Sequence, residues 1–104
     1  MKEKQILAVI KEPGKAPRVE PLLENSLDAL QQVVGGYIET VTFATDLVII
    51  CNEEGLLRRL PFNCEIGGHG FLGTIVAVGA RGEEFASLKA KHVPLVLKMM
   101  GGKS

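Results

Sequence analysis

Apolar residues in this chain fall mostly in short runs or in alternation with polar ones, which is the rhythm of strands, and only two stretches take helical spacing. Residues 5–11 barely alternate, so Ile6-Leu7-Ala8-Val9-Ile10 predicts a first strand buried on both faces. Pro13 and Gly14 supply the turn that follows, and Arg18-Val19-Glu20 alternates as a short return strand with Pro21 suited to a sheet edge. Leu27, Leu30 and Val34 share one helical stripe. Asn25 or Ser26 can cap that helix, Asp28 sits in its first turn, and Gly35-Gly36 stops it.

Residues 37–44 alternate with Tyr37, Glu39, Val41 and Phe43 on one face and Ile38, Thr40 and Thr42 on the other. Thr45-Asp46 turns the chain into residues 47–51, the most apolar strand, so a tight hairpin is expected there. Asn52-Glu53-Glu54-Gly55 reads as a type I turn. Residues 56–70 are irregular and read as a loop with one helical turn. Residues 73–79 form a glycine-bracketed β-branched strand, residues 84–86 pair back, and Ser87 caps a C-terminal helix. Pro94 either kinks that helix or opens a new one running to Met100, with residues 101–104 a short flexible tail. The order β-β-α-β-β-loop-β-β-α, with hairpin-length turns, predicts an α+β fold. It consists of one mostly antiparallel sheet of five to six short strands with two helices packed on one face.

With 104 residues the chain is one domain, and 46% hydrophobic against 23% charged residues are globular values. Twelve basic residues balance twelve acidic ones, which argues against coating DNA or an anionic membrane as the main task. The N-terminal apolar run is too short for a signal peptide and no run reaches a bilayer's thickness, so a soluble, cytoplasmic protein without membrane contact is expected. Cys51 and Cys64, the two cysteines, lack CxxC spacing and are expected to be reduced.

The chain holds Leu27-x-x-Leu30-Gln31-x-x-Val34-Gly35-Gly36-Tyr37-Ile38-Glu39, Asn52-Glu53-Glu54-Gly55, Leu60-Pro61-Phe62-Asn63, Gly73-Thr74-Ile75-Val76-Ala77-Val78-Gly79 and Phe85-Ala86-Ser87-Leu88. Together these strings resemble the uncharacterised domain-of-unknown-function family 3846. The similarity runs from about Ile6 to Leu88, and the Gly-Gly-Tyr-Ile-Glu string and the Asn-Glu-Glu-Gly turn are its most specific parts. Small members of that family occur in bacterial genomes, phages and conjugative elements. The resemblance therefore implies an accessory protein of a mobile genetic element, and it transfers no catalytic residue.

Candidate chemistry is thin. Gly68-His69-Gly70-Phe71-Leu72-Gly73 satisfies GxGxxG, but it leads into a strand where a dinucleotide loop opens a helix. Cys51, Cys64, His69 and His92 lack the paired spacing of a zinc knuckle, so neither a metal nor a cofactor is expected. Cys64 and His69 could make a nucleophile–base pair with Glu65 as orienter, which marks residues 64–73 as the candidate ligand loop. After Phe85 the chain holds Lys89, Lys91, Lys98 and Lys103 and no acidic residue, a basic helix that could touch phosphate. One tyrosine, four phenylalanines and no tryptophan leave little surface for stacking bases, so nucleic-acid contact through Lys89, Lys91 and Lys98 is the second choice. The favoured expectation is a non-enzymatic interaction module with no catalytic residue. It would bind a protein partner or a second copy through a sheet edge or through Leu95, Leu97, Met99 and Met100.

Overall fold

The computed structural model describes residues 3–101. Eight strands are present: β1 (Gln5–Lys11), β2 (Arg18–Glu24), β3 (Ile38–Ala44), β4 (Leu47–Asn52), β5 (Phe62–Ile66), β6 (His69–Leu72), β7 (Ile75–Arg81) and β8 (Glu84–Ala86). Two helices, α1 (Leu27–Val34) and α2 (Val93–Met99), complete the α+β fold, with a 3-10 turn over Ala90–His92 leading into α2. Every strand pair is antiparallel. The main sheet runs β2-β1-β7-β4-β3, with β8 pairing the end of β7, so it has six strands. Among the described residues no helix is long and apolar enough to cross a membrane.

The strands at the centre are the continuous apolar runs. All six positions of β4 are buried, and β7 is buried from Ile75 to Gly79, because elements cover both sheet faces. Side chains alternating along β1, β4 and β7 divide into two cores. Ile6, Ala8, Ile10, Val48, Ile50, Val76 and Val78 pack with Leu30 and Val34 of α1. Val9, Ile49, Cys51, Ile75 and Ala77 pack on the opposite face with Ile66, Phe71, Leu88, Val96 and Met100. The two helices thus lie on opposite faces, which corrects the expectation of one shielded face. Strands without an alternating polar face need cover on both sides, and here α2 and the β5–β6 hairpin supply the second cover.

Ser26 is the helix cap, its Oγ accepting the Ala29 N–H at 3.1 Å, and Gly35 closes α1 by donating to the Gln31 carbonyl at 2.8 Å. Leu27, expected on the buried stripe, is 57% exposed, since it occupies the first turn before the helix meets the sheet. β2 extends four residues beyond Glu20 because Pro21 and Leu22 are absorbed where the β1–β2 register shifts, between Glu20 and Leu23. The β3–β4 hairpin and the turn after it form as expected, with Glu54 N–H donating to Asn52 Oδ1 at 2.7 Å.

Residues 56–70 are not a loop throughout: β5 and the start of β6 fall in this stretch. Gly67 and Gly68, at φ 57° and 82°, form the two-residue connection, a geometry that L side chains resist. Ser87 does not cap a helix. Its Oγ accepts the Leu7 N–H at 3.0 Å, and its own N–H donates to Glu3 Oε1 at 3.0 Å, pinning the segment after β8 against β1. A Cβ at Gly79 would collide with the Ser87 carbonyl, so that close crossing needs glycine. Pro94 stands in the first turn of α2, where its missing N–H costs nothing; of the two readings of the C-terminal helix, the new helix is the one formed. Gly101 follows α2 at φ 82°, while residues 102–104 of the expected tail, with Lys103, lie outside the described residues.

Candidate functional site

The face carrying α2 and the β5–β6 hairpin holds most of the chemistry-bearing side chains. In β5 and β6, Cys64 pairs with Phe71 and Ile66 with His69, so the two candidate residues belong to one hairpin. They nevertheless open onto different clefts. His69 lines a small groove of about 160 Å³ with Glu39, Glu53, Leu56 and Leu72, and its ring stacks against Phe71 at 4.5 Å between centroids. Cys64 lines a separate, wider cleft with Lys11 and Asn63. No hydrogen bond joins Cys64 to His69 among the described residues, so the nucleophile–base pair is not assembled.

The thiols are not primed for attack. Burial raises the Cys51 thiol to about 11, with the Glu39 carboxylate adding to the rise. Burial also raises the Cys64 thiol, opposed by the positive charge of Lys11. A neutral thiol is a weak nucleophile, and both cysteines here pack as small hydrophobes. Among the described residues no group of three or more His, Cys, Asp and Glu stands together to hold a metal ion. The GxGxxG glycines end in a hairpin and a strand, not at a helix N-terminus, so they present no row of N–H groups to a pyrophosphate.

The lysines do not form one basic helical face. Lys89 precedes the 3-10 turn in extended backbone and is held by Asp46, Nζ to Oδ2 2.8 Å. The Lys89 ammonium keeps the Asp46 carboxyl below its ordinary value. Lys91 lies in the 3-10 turn and Lys98 alone belongs to α2; both are exposed. Of the apolar residues expected to offer a self-association face, Met100 is fully buried, and Leu97 and Met99 pack onto the core. Leu95, at 47%, is the one left substantially exposed. That face is spent on folding, because α2 turns its apolar side inward.

Exposed apolar surface gathers elsewhere. Leu56 and Leu57 are 82% and 81% exposed in the turn after β4, and Tyr37 and Phe62 are also largely exposed. Glu53 N–H donates to the Tyr37 carbonyl at 2.8 Å, and Arg58 Nη1 donates to the Gly35 carbonyl at 3.0 Å, which fastens this turn to the Ile38 end of β3. β3 is an edge strand whose outer side pairs with nothing among the described residues. The residues missed in reading the sequence are Lys11 and Asn63, both buried. Lys11 stands in phase with Leu7 and Val9 on β1, a signal that its charge would point at the covered face.

No curated protein and no solved structure gives a significant match to the chain. A family model described as a domain of unknown function matches residues 4–101, nearly its whole length, and the chain therefore belongs to the DUF3846 family.

Proposed function

We propose that this chain is a non-enzymatic, cytoplasmic interaction module, an accessory protein in the bacterial or mobile-element setting that the family resemblance implies, and that it takes a protein partner by strand addition along β3. The observation carrying this reading is the condition of that edge. β3 is a seven-residue strand without proline, unpaired on its outer side, and flanked at its Ile38 end by exposed Tyr37, Leu56 and Leu57. The opposite edge, β2, is blunted by Pro21, a register shift, and the charges of Arg18, Glu20 and Glu24. A partner strand would gain main-chain hydrogen bonds along β3 and bury the neighbouring apolar side chains. Glu39 and Glu53 beside that end favour a segment carrying basic residues.

Successive N–H groups of a strand point to alternate sides, so one of Thr40→Pro and Val41→Pro removes an outward donor while sparing the β4 ladder. The expected result is that the proline variant with unchanged circular dichroism loses the partner retained by the wild-type chain, or loses dimer in light scattering if the partner is a second copy. A wild-type chain that stays monomeric and retains no protein, or binding indifferent to both prolines, counts against the proposal.

Nucleic-acid contact is the weaker alternative: Lys89 is paired with Asp46, and only Lys91 and Lys98 of the three candidates carry no ion pair among the described residues. Absence of binding to single- or double-stranded DNA and RNA at low salt eliminates it, because phosphate contacts are strongest there.

A further inference from the structure

We propose that the cleft between the β1–β2 turn, the start of β5 and the end of α2 is a binding site for a small organic anion that also carries an N–H or O–H donor. This site is separate from the β3 edge. It measures about 690 Å³ and is lined by Lys11, Gly14, Lys15, Asn63, Cys64 and Met100, among others.

Two unmet demands meet in this cleft. Lys11 is 8% exposed, yet among the described residues no carboxylate pairs with it; its Nζ donates only to the Glu12 carbonyl, at 3.3 Å. A lysine so enclosed ordinarily has a charged partner. The nearby Glu12 carboxylate is committed elsewhere, accepting from Arg18 Nη1 at 2.7 Å and lying 3.7 Å from Lys15 Nζ, and these contacts hold its carboxyl below the ordinary value. The Glu12 carboxylate is thus shared by Lys15 and Arg18, and among the described residues none is left to face Lys11.

Asn63 is the second demand. It is 9% exposed and sits where the β5–β6 register gains an extra residue, between the Phe62–Leu72 and Cys64–Phe71 pairs. Its Nδ2 donates to the Lys11 carbonyl and the Gly73 carbonyl, both at 2.8 Å, using both amide hydrogens. Both partners are acceptors, so exchanging the oxygen and nitrogen positions would break both bonds, and Oδ1 is left buried with no donor among the described residues. Lys11 and Asn63 thus meet in the lining of one cleft, with Met100 and Cys64 as apolar wall. An anionic head with a neighbouring hydroxyl or amide N–H answers both.

The test is an NMR titration of the full chain with two probe pairs: acetate against lactate, and methyl phosphate against glycerol phosphate. Saturable shifts of the Gly14, Asn63 and Cys64 amides, tighter for the hydroxyl-bearing member of a pair, are expected, and the tighter pair identifies the head as carboxylate or phosphate. Lys11→Met, which keeps the buried stem, should weaken binding by about tenfold or more. Lys15→Met, at an exposed position, should weaken it less and cannot be blamed on misfolding. Absence of saturable shifts at these amides, or unchanged affinity in Lys11→Met, overturns the site. Equal affinity for both members of each pair overturns the part assigned to Asn63 Oδ1.

Discussion

Asn52 and Asn63, two of the three asparagines buried among the described residues, lie on opposite faces of the sheet and show how differently the faces are built. Asn52, on the α1 face, donates through Nδ2 to the Val34 carbonyl at 3.1 Å and accepts the Glu54 N–H at Oδ1, so both ends of its amide are used. Asn63, on the hairpin face, spends both donors joining β5 to β1 and to Gly73, and its acceptor is left over. The α1 face packs one helix on a stripe of aliphatic side chains, and Asn52 there bonds through both ends of its amide. The hairpin face holds its layers together with the same kind of bond but keeps a surplus donor group at Lys11 and a surplus acceptor at Asn63. Polar groups that only hold a fold together tend to be matched, and unmatched ones draw attention to what binds there.

The comparison can be broken most forcefully through packing. Phe71 is 1% exposed and anchors the hairpin, so Phe71→Ala should lower the unfolding free energy by about 3–5 kcal/mol in denaturant titrations. Leu30→Ala, the matching truncation on the α1 face, should cost about 2–5 kcal/mol. A hairpin-face value well below the α1-face value would mean that the hairpin is an appendage and not a cover. The asparagines come next. Asn52→Ala should cost about 1–3 kcal/mol by stranding the buried Val34 carbonyl and the half-buried Glu54 N–H. Asn63→Ala should cost less, because it removes an unsatisfied oxygen along with the two bonds, and a larger loss for Asn63→Ala would sink the contrast between the faces.

The thiols give a smaller, pH-dependent effect. A buried thiol whose ionisation is raised favours the folded state below the ordinary value of 9.0 and loses that advantage as pH climbs toward about 11. Stability should therefore decline over that window, and in the folded chain at pH 8 Cys51 should be alkylated after Cys64, as read by mass spectrometry. Smallest is the surface pair of exposed Lys89 with half-buried Asp46. The depressed Asp46 carboxyl contributes above its ordinary value of 3.8, and the contribution fades as pH falls below it. Lys89→Met should shift the melting temperature only slightly at neutral pH, and not at all in strong acid.

Much of the fold was legible because local signals and burial agree. Unbroken Ile/Val runs mark β1, β4 and β7, Ser26 and Gly35 bracket α1, and Pro94 begins α2. The β5–β6 hairpin was harder to see. Its strands are short, and Pro61, Asn63 and three glycines between residues 56 and 70 dilute the alternation, although a Gly67-Gly68 pair between short apolar-containing segments is itself a hairpin signal. The opposed placement of the helices was implicit in the apolarity of β4, where six consecutive buried residues leave no face for water. The candidate site was less legible still. In the sequence Cys64 stands out for its reactivity, whereas in the fold it marks the cleft's wall, and the position of Lys11 beside Asn63 depends on two segments 52 residues apart. No local pattern reports such a juxtaposition.

The hydrogen bonds that bind Leu7 to Ser87 and Leu88 join opposite ends of the chain, Leu7 and Ser87 being 80 positions apart, and β1 lies between β2 and β7 in the sheet. During synthesis the first strand can find β2 at once but must wait for the last quarter of the chain before its other side is paired. Until then an Ile- and Val-rich edge stands open on the ribosome, so folding should be slow for so small a protein, and nascent chains stalled before residue 75 should be prone to clump or to need a chaperone.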